Sequence, residues 1–261
     1  MSKPNYYIGW LEELPARNSK AIRRLLIPIF VLLPLIALAV VYFSEPFNDH
    51  QFDFGNVQSF TGTYHEMPFP VLVLDEGQGP ELPDDHLLLV GYGKSGATGF
   101  LQQAAQDKGT LDGRHLRLAG TLIYGDGRAL LELTDQEKAV LEVLPAPSSS
   151  SPVPATAPKT AQLEGEIIDP KCWFGVMKPA EGKVHKSCAI RCISGGIPPM
   201  LRVSTDEGNQ YYVLKGAAGE NVNDQILEFV GEPVIVQGEV YSQNGWRVIQ
   251  TAPTTITYQT K

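Results

Sequence analysis

Cysteine is scarce in this chain. There are three in 261 residues, and none lies before position 172. Any thiol chemistry is therefore confined to one stretch, in which Cys172, Cys188 and Cys192 fall together with His185. Basic residues are scarce as well: 21 Lys and Arg stand against 29 Asp and Glu, the formal charge is -8, and no basic stripe follows Arg24. Nucleic acid is excluded as a partner, because counterion release needs clustered cations. The signatures Gly-x-Ser-x-Gly, His-Glu-x-x-His and Cys-x-x-Cys-His are all missing, which removes the corresponding hydrolase, zinc-protease and covalent-haem readings.

What the chain does have begins with an apolar run. Residues 25–43 carry no charge, and about 19 residues at ~1.5 Å each span roughly the ~30 Å hydrocarbon core. A single transmembrane helix is predicted there, with Pro28 and Pro34 tolerated as they are in membrane spans. Lys3, Arg17, Lys20, Arg23 and Arg24 precede it, and Glu45, Asp49 and Asp53 follow. The positive-inside rule then places residues 1–24 in the cytoplasm and the bulk of the chain outside. A cleaved signal peptide is the competing reading, but Ala37-Leu38-Ala39 is followed by more bulky apolar residues instead of a cleavage site. Tyr6-Tyr7-Ile8-Gly9-Trp10 suits a short interfacial element or a loose tail.

Residues 145–160 are dominated by Pro, Ser, Ala and Thr and read as a linker. It separates two modules, 56–144 and 161–258, each of a size at which single domains stand. These modules are duplicates. Leu111 to Leu131 aligns without gaps on Phe229 to Ile249, with Gly120 on Gly238 and Gly127 on Gly245. In each copy alternating strands flank Asp126-Gly127 or Asn244-Gly245, the dipeptides of type I′ hairpins. The opening strands correspond too, Phe60-Thr61-Gly62 on Leu163-Glu164-Gly165. A middle strand follows, at 86–90 in the first copy and at 200–203 with 210–214 in the second, and then a stretch able to hold one short helix. The pattern predicts a mainly β chain with two small OB-like barrels after the membrane helix.

The cysteines belong to the second module alone, so residues 172–199 look like function added to a scaffold whose other copy does without it. If 186–193 is helical, Cys188 and Cys192 share a face and His185 sits one turn before Cys188. Three readings stay open. One is a structural disulfide with a thiol left over. Another is a metal site of Cys172, His185, Cys188 and Cys192, with Met177 or Met200 as further ligands, suited to a zinc or copper ion. The last is a dithiol pair, Cys188 and Cys192, resolved by Cys172.

Other motifs carry less. Gly91-Tyr92-Gly93-Lys94-Ser95-Gly96 matches a dinucleotide fingerprint, but the module is too short for a doubly wound sheet, so no nucleotide cofactor is expected. Asp84-Asp85-His86 and Asp75-Glu76 read as solvated loops, and His65 and His115 as exposed or satisfied strand residues. Trp173, Trp246, Tyr211 and Tyr212 are expected to pack the second barrel.

The block from Gly165-Glu166-Ile167-Ile168-Asp169 through Cys172, His185, Cys188 and Cys192, with Gly208-Asn209-Gln210-Tyr211-Tyr212 and the closing strand at 229–240, resembles a family of small secreted bacterial OB-type domains with a three-cysteine motif. The resemblance covers roughly residues 162–257 and implies a fold and bacterial export, with no activity attached. The Cys-x-x-x-Cys spacing is also similar to that of copper-handling Sco-type proteins, whose thioredoxin-like βαβ pattern is missing here. The expectation is a non-enzymatic accessory subunit or assembly factor, anchored in the bacterial inner membrane and facing the periplasm. Its partners would be the lipid bilayer and a membrane-bound redox complex. The alternative is a stand-alone exported thiol-disulfide or copper-transfer protein.

Overall fold

The computed structural model describes residues 16–43, 50–75, 77, 82, 84–134, 138–145, 155–175 and 177–259. The aromatic segment at 6–10 and most of the proposed linker lie outside them. Helix α1 (Ala16–Phe43) contains Pro28 and Pro34 and forms a unit of its own. Its stretch Asn18–Phe43 is long and apolar enough to cross a membrane, and its large side chains, Phe30 at 71% and Val41 at 74% among them, are exposed.

The second unit is mainly β and holds two closed five-stranded barrels. In the first, β1 (Gln51–Phe52), β2 (Gln58–His65), β3 (Val71–Leu74) and β4 (His86–Val90) lead through helix α2 (Thr98–Lys108) to β5 (His115–Gly125), β6 (Arg128–Leu133) and β7 (Val140–Leu144). The closed circuit runs β2-β3-β4-β6-β5 and back to β2, with β4–β6 the single parallel pair in it. The second barrel comprises β8 (Lys159–Ile168), α3 (Pro170–Phe174), α4 (Gly182–Ser194), β9 (Met200–Thr205), β10 (Gly208–Lys215), β11 (Pro233–Gln243), β12 (Trp246–Gln250) and β13 (Ile256–Tyr258). Its circuit, β8-β9-β10-β12-β11, closes in the same order with β10–β12 parallel. Both follow OB topology, as the duplicated sequence predicts.

The paired glycines explain the repeat physically. A Cβ on Gly62 would lie 2.1 Å from Val73 O, and one on Gly165 would lie 2.2 Å from Arg202 O. On Gly120 it would meet Glu132 O at 2.4 Å, and on Gly238 Gln250 O at 2.1 Å. At each point the strands cross too closely for any side chain. Asp126 (φ 47°) and Gly127 (φ 69°), like Asn244 (φ 48°) and Gly245 (φ 75°), adopt the left-handed pair that a type I′ turn requires.

The barrels differ between their first and second strands. The first copy crosses there with residues 66–70, the second with 169–199, which contain α3, α4 and all three cysteines. At the linker, β7 ends at Leu144 and β8 already begins at Lys159. Upstream of it, Thr156 exchanges two hydrogen bonds with Ser242, N to O at 2.9 Å and Oγ1 from N at 2.7 Å.

Each barrel has its own core, around Leu87, Leu116 and Leu131 in the first and Leu201, Leu214 and Val236 in the second. A third apolar cluster joins them, combining Val71, Leu88, Ile123 and Leu130 with Trp173, Phe174, Tyr211 and Trp246. Both tryptophans and Tyr211 therefore seal the seam between barrels, and only Tyr212 packs the second barrel's own core. The hairpin turns reach across reciprocally. Tyr211 Oη donates to Asp126, while Arg128 Nη1 donates to Gly245 O at 2.9 Å and stacks over Trp246.

A candidate thiol and imidazole centre

The site grows from two helix termini. Asp169 caps α3, its Oδ1 accepting from Lys171 N at 2.9 Å, with Pro170 at the first helical position. This short helix delivers Cys172 to the inner face of α4. On α4, His185, Cys188 and Cys192 recur at helical spacing and present one face. Helix α4 is pinned to the second barrel: Glu166 Oε1 accepts from Gly182 N at 2.6 Å, Lys186 Nζ binds Glu232 Oε1 at 2.9 Å, and Asn223 Nδ2 donates to Ile193 O at 2.5 Å.

The three sulfurs lie within 4.8 Å of one another, and none is bonded to another. A second trio, Asp169, Cys172 and His185, also has its ligand atoms mutually within 4.8 Å. The proposed set Cys172, His185, Cys188 and Cys192 is thus brought together as two trios that share Cys172. Asp169, which the sequence reading passed over, belongs to the second. Met177 is 42% exposed, and Met200 is fully buried in the interbarrel cluster.

Burial tunes these groups. The Cys172 thiol is pushed far up, first by its hydrogen bond with Cys192, then by burial, then by the Asp169 carboxylate beside it. Burial pulls His185 below the usual imidazole value, which leaves a neutral ring whose nitrogen can act as a ligand. His185 Nε2 and Asp169 Oδ2 are buried without any hydrogen-bond partner. Such orphaned polar atoms are costly unless something else is held there.

The first barrel completes the site through the loop at 91–96, the stretch that imitates a dinucleotide fingerprint. Its glycines serve a different end. Gly96 N donates to Gly195 O at 2.9 Å, at the end of α4, and a Cβ on Gly96 would lie 2.1 Å from Gly196 O. The contact sets Lys94 Nζ 3.0 Å from Cys188 Sγ, and the Cys188 sulfur holds the Lys94 pKa above its ordinary value. Beneath the loop, the buried Lys171 ammonium donates to Gly91 O (2.8 Å), Gly93 O (2.5 Å) and Glu132 Oε1 (2.8 Å), and Glu132 in turn accepts from Gly93 N at 3.0 Å. No sequence motif announces Lys171 or Glu132, and Lys94 stands inside a fingerprint that points to a different chemistry. Asp169 carried a faint signal, as a capping residue before Pro170 and three positions from a cysteine.

A third cluster, Asp84, Asp85 and His86, also gathers within 4.8 Å. It is a seam of ion pairs. Asp84 Oδ2 meets Arg128 Nη1 at 2.7 Å, Asp85 meets His86, and Trp246 Nε1 donates to His86 O at 3.0 Å. His115 is satisfied by Asp75 at 2.8 Å and Pro145 O at 3.1 Å. Comparison of the chain with known protein families, with known proteins and with solved structures finds no match.

Proposed function

We propose that this is a membrane-anchored, periplasm-facing accessory subunit or assembly factor of a bacterial redox complex, whose second barrel holds a soft metal ion on thiolate ligands. The observation that carries the reading is the mutual approach of three unbonded cysteines within 4.8 Å, beside buried His185 Nε2 and Asp169 Oδ2 that have no other partner. Thiolate and imidazole suit copper or zinc, and Lys94 offsets part of the negative charge that three thiolates bring together. The charge asymmetry about α1 supports the exterior orientation, and the resemblance to exported three-cysteine domains agrees with it. The accessory role rests on the architecture, two small barrels fused into one scaffold with chemistry confined to an insertion.

Metal analysis with free-thiol counting on full-length protein purified from membranes tests the reading. Bound copper or zinc with three alkylatable cysteines after its removal supports it. Stable metal-free protein that binds neither ion under reducing conditions refutes it. Reporter fusions after residue 43 that are active only in the cytoplasm would reject the orientation.

A second reading, thiol-disulfide or copper transfer, draws on one observation. Cys172 and Cys192 bring their sulfurs within 4.8 Å of each other while Cys188 stands half-buried beside a lysine. A Cys172–Cys192 disulfide that forms reversibly under mild oxidant would favour it.

A further inference from the structure

We infer that the insertion is a dinuclear metal site in which the Cys172 thiolate bridges two ions, one bound with Cys188 and Cys192 and the other with Asp169 and His185. The inference rests on the metal reading above and deepens it. Two ligand trios meet only at Cys172, and each has its donor atoms within 4.8 Å of one another. A metal–sulfur bond of about 2.3 Å puts two sulfurs of one tetrahedral ion about 3.8 Å apart, and metal–nitrogen and metal–oxygen bonds of about 2.0–2.1 Å put the donors of the mixed trio about 3.3–3.6 Å apart, so each trio must draw together by at most about 1.5 Å. The five donors do not form one mutual group, as a single ion would require of them.

The second trio has independent support. Asp169 is 0% exposed and His185 4% exposed, and each keeps one buried donor atom, Oδ2 and Nε2, without a hydrogen bond. A three-thiolate centre alone would leave both atoms orphaned. Asp169 already spends Oδ1 on capping Lys171 N, so its free oxygen is oriented by the backbone of α3 and not by chance. Charge points the same way. Three thiolates and one carboxylate bring four formal negative charges, against which the contacts among the described residues show one ammonium, Lys94 at Cys188. One divalent ion leaves that set negative, and a second cation removes the excess. Each thiol releases its proton to solvent as its metal–sulfur bond forms, and the bridging sulfur uses two lone pairs, one for each ion. The ligands fit zinc or copper(I) at the thiolate trio, and zinc or another borderline divalent ion at the mixed trio.

The test is metal stoichiometry on the full chain in detergent, reduced and anaerobic, with Co(II) and then Zn(II) as probes. Wild type should bind two equivalents. Cys188→Ser should lower this to one, and so should Asp169→Asn, a change that keeps the helix cap and removes the anionic ligand. Cys172→Ser should abolish both. In the cobalt form, thiolate-to-metal charge transfer should fall further in Cys188→Ser than in Asp169→Asn, and magnetic coupling between two bridged ions should vanish in Asp169→Asn. His185→Gln gives the mixed trio a second readout if Asp169→Asn does not fold. One equivalent in wild type, lost alike in Cys188→Ser and Asp169→Asn, overturns the dinuclear site and leaves a single metal centre. Two equivalents with only one lost in Cys172→Ser overturns the bridge. No binding of either ion overturns the metal reading itself.

Discussion

Lys171→Met tests whether the seam between the barrels depends on one buried ion pair. Lys171 and Glu132 are each under a tenth exposed, and the ammonium satisfies three acceptors at 2.5–2.8 Å, two of them carbonyls of the loop that carries Lys94. Methionine matches the side chain's length but deletes every one of those bonds. The Glu132 carboxylate then stays buried with only Gly93 N, 3.0 Å away. Breaking a buried pair from one side costs about 3–5 kcal/mol, a large share of the ~5–15 kcal/mol that holds a typical domain together. Replacing both partners removes the stranded charge, so Lys171→Met with Glu132→Leu should lose clearly less than Lys171→Met alone. Urea unfolding of the metal-free chain in detergent reads this directly by tryptophan emission, because Trp173 and Trp246 both lie in the interbarrel cluster. A loss below about 1 kcal/mol for Lys171→Met, or a double variant as unstable as the sum of its parts, would refute the argument.

Gly96→Val forces a Cβ to within 2.1 Å of Gly196 O and should part the loop from α4. Gly113→Ala, strained by φ 71° but in open space, should cost only about 1 kcal/mol in the same unfolding assay. Lys94→Met should slow iodoacetamide alkylation of Cys188 several-fold in metal-free protein, since the Cys188 sulfur loses the ammonium 3.0 Å away that would stabilise negative charge on it; an unchanged rate counts against that contact. His86 is raised above its ordinary value by its hydrogen bond to Asp84 and the charges of Asp84 and Asp85, with burial acting the other way and Arg128 and His65 close by. Its stabilisation is therefore complete below about pH 6.5 and is lost as pH rises through the raised folded value. The stability gap between wild type and His86→Gln should shrink over that window, and a gap that widens with pH would show the sign to be wrong.

The hairpins at Asp126-Gly127 and Asn244-Gly245 were legible because a type I′ turn is local: two residues must take positive φ, and the flanking alternation of period two fixes which face is buried. The same holds for α4, whose His185, Cys188 and Cys192 share a face through helical spacing alone, and for α1, which length and hydropathy define. Barrel closure was legible at one remove, since the glycine at each tight crossing recurs in both copies. What the sequence could not determine is which residues meet across the seam. Lys94 and Cys188 are 94 positions apart, and Lys171 lies 80 from Gly91. No periodicity links them, so the glycine loop at 91–96 could be set aside as a dinucleotide fingerprint from the sequence, but its docking on the end of α4 could not be read there. Trp246 looked like core of its own barrel for a related reason: an alternating pattern tells that a side chain is buried, but not against which neighbour. Asp169 joined the site only when α3 folded back over α4, which turned a helix cap into a neighbour of Cys172 and His185. The sequence by itself determined the strands, the turns, the membrane-length helix and the clustering of thiols. The pairing of two barrels, and with it the charge beside those thiols, was decided by tertiary packing, as was the approach of Asp169 to Cys172 and His185.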